Sequence, residues 1–219
     1  MPRIALLNPN TNRRTTAFMA GIARGELPPA VTVEPYTMLL GPAIVTDEPA
    51  LEAAARQIIP TAQSLALHGV DGILISGFGD PGLAELRGRL RIPVTGIAEA
   101  GMAEAAADGR RFSIITTTPE LDASIRRTVA AYGHGSRLVS LRITEGPAAE
   151  VMADPDRLAE ALLGLARDCL TDGAEAVLIG GGPLAVAAGA VSAALSVPVI
   201  EPVAAGARLA LARLAVPVS

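Results

Sequence analysis

The chain has 219 residues, enough for one large domain or two smaller ones with a buried core. Half of the residues are hydrophobic but 2% are aromatic, so the core must be built from Ala, Val, Leu and Ile, which suits helices packed on a parallel sheet. A net charge of −4 without a cluster of Lys and Arg excludes a nucleic-acid footprint, no apolar run reaches the roughly 20 residues of a bilayer span, and one cysteine excludes an internal disulfide.

Short apolar runs that stop at Gly, Pro, Asn or Thr read as strands, and helical patterns lie between them. The N-terminus runs straight into the strand Arg3–Leu7 and the turn "NPNTN", so the expectation is a chain without a signal peptide in the reducing cytoplasm. A helix at Thr15–Gly25 and a strand at Val31–Pro35 follow. Pro49–Leu67 is helical, with Asp47 or Thr46 placed to cap it. Then come strand Gly72–Ile75, helix Ala84–Arg89, strand Val94–Ile97 and helix Gly101–Ala107. The second half continues with strand Phe112–Ile115, helix Leu121–Tyr132, strand Arg137–Leu141 and helix Asp156–Thr171. Strand Ala176–Ile179, helix Ala185–Leu195, strand Val197–Ile200 and helix Ala204–Leu214 close the series. Strands alternating with helices specify an α/β fold with parallel sheets.

An internal repeat refines this. "GVDGILISGFGDPGLAELRGRLRIPVTGIAEAG" begins at Gly69 and "GAEAVLIGGGPLAVAAGAVSAALSVPVIEPVAAG" at Gly173. Each reads glycine, acidic residue, apolar strand, glycine-rich loop, helix, "PV", short strand, and "AG" opening a helix. "RIALLNPNT" and "FSIITTTPE" match in the same way. The chain is therefore expected to form two similar α/β halves, residues 1–100 and 101–219, related by a pseudo-twofold axis. The C-terminal helix is free to pack back onto the first half. Ligands of such sheets sit beyond the carboxyl ends of the strands, so a cleft between the halves, lined by the loops after Leu7, Ile75, Ile115 and Ile179, is the expected site.

Several loop residues carry chemistry. Asn8, Asn10 and Thr11 offer donors and acceptors after the first strand, although turn and cap chemistry explains them equally well. Thr116, Thr117 and Thr118 stand before Pro119, a pattern that suits an anion at a helix start, or an N-cap by Thr118. "GFGDPG" and "GGGP" expose backbone N–H groups but lack the lysine and hydroxyl of a phosphate loop, so nucleotide binding is rejected. Asp80, Glu99 and Glu201 are the candidate acids or bases, each with a turn, cap or ion-pair role as the alternative. His68 at a helix end and His134 in an exposed loop read as structural, and Cys169 as a buried, inert thiol. No metal and no cofactor is expected.

Taken in order, "LLNPNTN", "GPAIVTDE", "GFGDPGL", "PVTGIAEAGM", "FSIITTT" and the loop at "IGGGP" resemble the hydantoin racemase family, within the aspartate/glutamate racemase superfamily, whose relatives include allantoin racemases and arylmalonate decarboxylase. The resemblance implies cofactor-independent chemistry at a carbon beside a carbonyl, performed by two cysteines, one in each half. Those cysteines fall on Gly77 and Gly181, and Cys169 matches neither. The decarboxylase relatives keep the second cysteine; here it is absent too. Loss of both side chains is expected to enlarge the cleft. Asn10, Thr11, Gly77, Phe78, Thr117, Thr118, Gly181 and Gly182 then remain as substrate-binding positions.

What the resemblance implies is an isomerase- or lyase-type enzyme with cysteine-free chemistry. It would bind a small carboxylate, hydantoin or cyclic imide and stabilise an enolate or oxyanion during decarboxylation, elimination, ring opening or ring closure. A non-catalytic binding protein and an inactivated racemase are the alternatives. A homo-oligomer acting on a small molecule, with no nucleic-acid or membrane partner, completes the expectation.

Overall fold

The computed structural model describes residues 1–215. Their elements are β1 (Arg3–Asn8), α1 (Arg13–Gly25), β2 (Thr32–Thr37), α2 (Glu48–Leu67), β3 (Gly72–Ile75), α3 (Leu83–Arg89), β4 (Val94–Gly96) and α4 (Ile97–Ala105). Next come β5 (Phe112–Thr116), α5 (Asp122–Ala131), β6 (Leu138–Ile143), α6 (Ala148–Val151) and α7 (Pro155–Thr171). The series ends with β7 (Ala176–Ile179), α8 (Ala188–Ala193), β8 (Val199–Ile200) and α9 (Pro202–Leu214). The architecture is α/β, with two similar halves. One parallel sheet has the order β2-β1-β3-β4 and the other the order β6-β5-β7-β8.

The chain divides into two compact units. The first holds Met1–Val45, Pro49–Ala100 and, among the described residues, 203–215; the second holds Thr46–Glu48 and Gly101–Pro202. In the first unit Ile4, Leu6 and Leu74 face Met19, Ala20 and Ala23 of α1 and Val203, Ala207 and Ala210 of α9. Ala5, Leu7, Ile73 and Ile75, of the opposite parity, are equally buried, so both faces of the sheet are covered. In the second unit Ile115, Val177 and Ile179 pack with Leu158, Leu162 and Ala166 of α7.

The repeated residues have repeated jobs. Gly69 and Gly173 end α2 and α7 at φ 79° and 94°, a left-handed conformation that glycine adopts without strain. Two residues on, the acidic side chain binds the start of the neighbouring strand. Asp71 accepts from Arg3 N and Glu175 from Arg111 N, both at 2.7 Å. The repeated "AG" is a close approach. A Cβ at Gly206 would lie 2.9 Å from Leu74 Cδ1, and one at Gly101 would lie 2.7 Å from Leu178 Cδ1. Thus α9, which follows the last strand of the second unit, belongs to the first unit's core, and Gly101–Ala105 of α4 belongs to the second unit.

Some boundaries differ from the sequence expectation. β2 runs to Thr37 and β6 to Ile143, past the expected ends at Pro35 and Leu141. Pro35 is tolerated because β2 is an edge strand. β4 stops at Gly96, and α4 begins at Ile97 rather than Gly101. The reason lies outside the segment. The Asp80 carboxylate accepts from the backbone N–H of Ala98 at 2.9 Å and of Glu99 at 2.8 Å, satisfying the first turn from a distant loop. Gly96 makes room for it, since a Cβ there would overlap the Asp80 carboxyl. The short helix α6 and the 3-10 turns at Pro119–Leu121 and Gly182–Ala187 were not foreseen.

Candidate functional site

The strand-end loops of the first unit are organised by three asparagines. Asn8, fully buried at the end of β1, sends its side-chain Nδ2 to Asn10 Oδ1 at 2.8 Å, Thr16 Oγ1 at 2.9 Å and Asn12 O at 3.2 Å. Its Oδ1 accepts from Asn10 N. Asn10 Oδ1 also accepts from Asn12 N at 2.9 Å, and Asn12 caps α1 by accepting from Arg14 N and Thr15 N. Backbone nitrogens can only donate, so the Asn8 and Asn10 amide orientations follow from the network itself. The Nδ2 donor of Asn10 is thereby left with no partner among the described residues. Thr11 donates its N–H to Pro42 O and lines a recess of about 450 Å³ with Arg13, Thr16, Tyr36 and Thr37.

After β3, Ser76 binds Leu7 O through both its N–H and its hydroxyl, each at 2.9 Å. Gly77 O accepts from Asp80 N, closing a tight turn in which Asp80 itself has φ 50°. Among the described residues no carbonyl takes the N–H of Gly77 or of the half-buried Phe78.

The second unit repeats the arrangement with threonines. Thr116, Thr117 and Thr118 are all buried. Thr116 Oγ1 binds Gly180 O at 3.0 Å and Thr118 Oγ1 at 3.2 Å. Thr118 was one candidate for the N-cap of the turn at Pro119, but its hydroxyl makes no cap bond because Thr116 engages it. Thr117 Oγ1 meets the sulfur of Met152 at 3.7 Å. Gly181 is extended at φ 171°, its O accepts from Leu184 N, and Gly182 is buried at the start of the turn that follows.

The bare Cα atoms at 77 and 181 were expected to open space. The structure fills it instead. Pro9 Cγ lies 2.5 Å from the place a Cβ of Gly77 would take, and Leu184 Cγ lies 3.1 Å from the corresponding place at Gly181. A side chain at either position requires a buried neighbour to move.

Two of the three candidate acids are engaged elsewhere. Asp80, 5% exposed, is committed to the N-terminus of α4. Glu99 lies between Arg213, at 2.9 Å through both carboxylate oxygens, and Arg87, at 2.6 Å. Burial alone would push the Glu99 carboxyl up, but hydrogen bonds and charge from Arg213 and Arg87 outweigh it and hold the group at about 2. Glu201 is half-buried between β8 and α9. Cys169 is fully buried against Ser140, and burial pushes its thiol up. His134 is not the exposed loop residue the sequence suggested: it stands edge-on to Phe112, ring centroids 6.1 Å apart, and partial burial lowers its pKa. Among the described residues no group of His, Cys, Asp and Glu is placed to hold a metal ion, and no helix is long and apolar enough to cross a membrane.

Asn8, which the sequence offered beside Asn10 and Thr11, organises the first loop. One residue missed by the sequence reading stands at a strand end of the second unit. Thr144, 7% exposed after β6, donates its N–H to Thr116 O at 3.0 Å. It lies in no glycine-rich or repeated motif; the polar residue closing an apolar run was the available signal.

The model of the Asp/Glu/hydantoin racemase family matches residues 4–210. A hydantoin racemase from Rhizobium meliloti is 32% identical over 219 aligned positions, covering 96% of this chain and 88% of that protein. The structure of an allantoin racemase from Klebsiella pneumoniae superposes with a TM-score of 0.92 at 30% identity, covering 100% of this chain and 91% of that one. The crystal structure of arylmalonate decarboxylase shares the fold, with a TM-score of 0.66 at 19% identity over 98% of this chain and 93% of that one.

Proposed function

Because the chain belongs to the Asp/Glu/hydantoin racemase family, we propose that it is a cofactor-independent enzyme that binds a small carboxylate, hydantoin or cyclic imide and stabilises enolate-like or oxyanionic charge without two-thiol racemisation. Allantoin is itself a hydantoin, so the relatives point to one ring class. The observation that carries the reading is the Asn10 amide, whose oxygen is held by the Asn8–Asn12 network and whose N–H donors are left without a partner among the described residues. A donor fixed in advance stabilises developing negative charge without reorganising when the charge appears. The free N–H groups of Gly77 and Phe78 serve the same purpose in the first unit, where we propose Thr11 as a further binding position; in the second unit we propose Thr117, Thr118, Gly181 and Gly182 as binding positions.

Two-thiol proton transfer needs two cysteines, and the chain has one, buried and held protonated. With Asp80 and Glu99 occupied, the proton comes from Glu201, from water or from the substrate. Decarboxylation, elimination and ring opening or closure all fit, since each passes negative charge onto an oxygen beside the reacting carbon. The single free thiol suits the reducing cytoplasm, and a homo-oligomer is part of the proposal.

The test is a thermal-shift screen of 5-substituted hydantoins, allantoin, phenylmalonate and succinimide, followed by product analysis and α-carbon deuterium exchange for each binder. Asn10→Ala is expected to lower turnover about 10²-fold, the cost of one oxyanion donor. Turnover intact in Asn10→Ala sinks the reading, as does racemisation at a native rate. A second reading, a binding protein without chemistry, draws on the Pro9 and Leu184 side chains packed against the bare glycines. It predicts binders that yield no product and exchange no deuterium.

A further inference from the structure

Hydroxyls at the strand ends of the second unit are paired off, with one exception. Thr116 and Thr118 are bonded to each other and to Gly180 O. Thr117 Oγ1 has the thioether of Met152 at 3.7 Å, a soft and weak acceptor. Thr144 has nothing. Its Oγ1 is the buried side-chain polar atom that no hydrogen bond satisfies among the described residues, in a residue 7% exposed. A hydroxyl left in that condition carries its full desolvation penalty.

The two under-satisfied hydroxyls are neighbours. β5 and β6 pair in parallel with Thr116 opposite Ile143, and the bond from Thr144 N to Thr116 O continues the ladder by one residue. Thr144 therefore stands beside Thr117, and residues paired in register project to the same face. The face is that of Ile115, beyond the carboxyl end of the strands, where open α/β sheets bind ligands. The first unit shows that this place does not demand a hydroxyl. Its equivalent is Met38, whose N–H donates to Asn8 O at 3.2 Å and whose side chain, 5% exposed, is apolar. A fold that fills the position with a thioether in one unit gains nothing structural from an unpaired hydroxyl in the other.

We propose that Thr144 is a substrate-binding residue, its hydroxyl donating with that of Thr117 to one oxygen of the bound molecule, a carboxylate, imide or hydantoin carbonyl oxygen. The proposal rests on the reading of the site as a small-molecule cleft and adds a group to it. Each threonine supplies one donor to a single acceptor with two lone pairs, which fixes that oxygen in the sheet-end plane.

The test uses the full chain and two variants. Thr144→Val keeps the shape and deletes the hydroxyl; Thr144→Ser keeps the hydroxyl. The probe is whichever of hydantoin, allantoin, phenylmalonate and succinimide binds the wild type most tightly, titrated calorimetrically, with the Tm of each free protein measured alongside. Thr144→Val is expected to weaken Kd about tenfold, the effect of one hydrogen bond to a charged or strongly polar acceptor, while Thr144→Ser stays within about threefold. The free Thr144→Val protein is expected to melt at or above the wild-type Tm, since it loses an unpaired group. A lower Tm in Thr144→Val shows that the hydroxyl is structurally bonded and overturns the proposal. An unchanged Kd overturns it alone and leaves the cleft reading standing. Failure of the whole panel to bind the wild type overturns the cleft reading and this proposal together.

Discussion

Glu99 shows how a residue's role is set by what the chain brings to it. Its two arginine partners hold its folded carboxyl near 2, against an ordinary value of 4.5. A carboxyl whose folded pKa is depressed contributes stability that is fully present above the unfolded value and is lost as pH falls toward the folded one. The window is therefore about pH 4.5 down to about 2. Glu99→Gln is expected to cost about 1–3 kcal/mol at pH 7, discounted for the partial exposure of Arg87, and urea unfolding curves of variant and wild type are expected to converge as pH falls through that window. Equal costs at pH 7 and pH 3 would contradict the ion-pair account. The sequence offered an ion pair with an arginine as one role for Glu99 but not which arginine, because Arg213 lies 114 residues away. Asn10, Thr117 and the glycine loops were legible as candidates, since each directly follows an apolar run. Asp80 offered a turn or a base locally, and only the fold reveals that it caps a helix 18 residues away.

At the scale of elements, β1, β3, β5 and β7 were readable because each is a short apolar run cut off by Gly, Asn, Ser or Thr, whereas β2 and β6 mix polar residues into the run and extend past their expected ends. What escaped was α6, four residues long and below the reach of helical periodicity, and the start of α4, set by a remote cap. The "AG" pairs were visible as a pattern without a reason. The structure supplies it: Gly101 and Gly206 let a helix lie directly on a strand leucine. Helix propensity alone says any helical Gly→Ala change stabilises. Gly164 in α7, with nothing within 4 Å of its would-be Cβ, is expected to follow that rule and gain about 0.5–1 kcal/mol as Ala. Gly206→Ala is expected to lose about 1–3 kcal/mol, because Ile97 and Leu74 are fully buried and must give way. Thermal unfolding of the two variants checks the sign of each; stabilisation by Gly206→Ala would show that the contact is slack.

For the whole molecule, the decisive feature is that neither unit is continuous in sequence. A fragment of residues 1–100 carries all four strands of the first sheet but lacks Val203, Ala207 and Ala210, which cover Ile4, Leu6 and Leu74. That fragment is expected to show no cooperative thermal transition by circular dichroism, and appending residues 201–215 through a flexible linker is expected to restore one. Cooperative melting of the short fragment would show that α9 is dispensable to that core.

The same discontinuity sets a timetable during synthesis. The first sheet leaves the ribosome early, but the helix that closes its core is made about a hundred residues after β4, a delay of roughly 5–20 s at about 5–20 residues per second. Through that interval the stripe of Ile4, Leu6 and Leu74 has α1 against it but lacks Val203, Ala207 and Ala210. The protein's yield in the cell is thus tied to how well that stripe is kept from other chains until the last helix arrives.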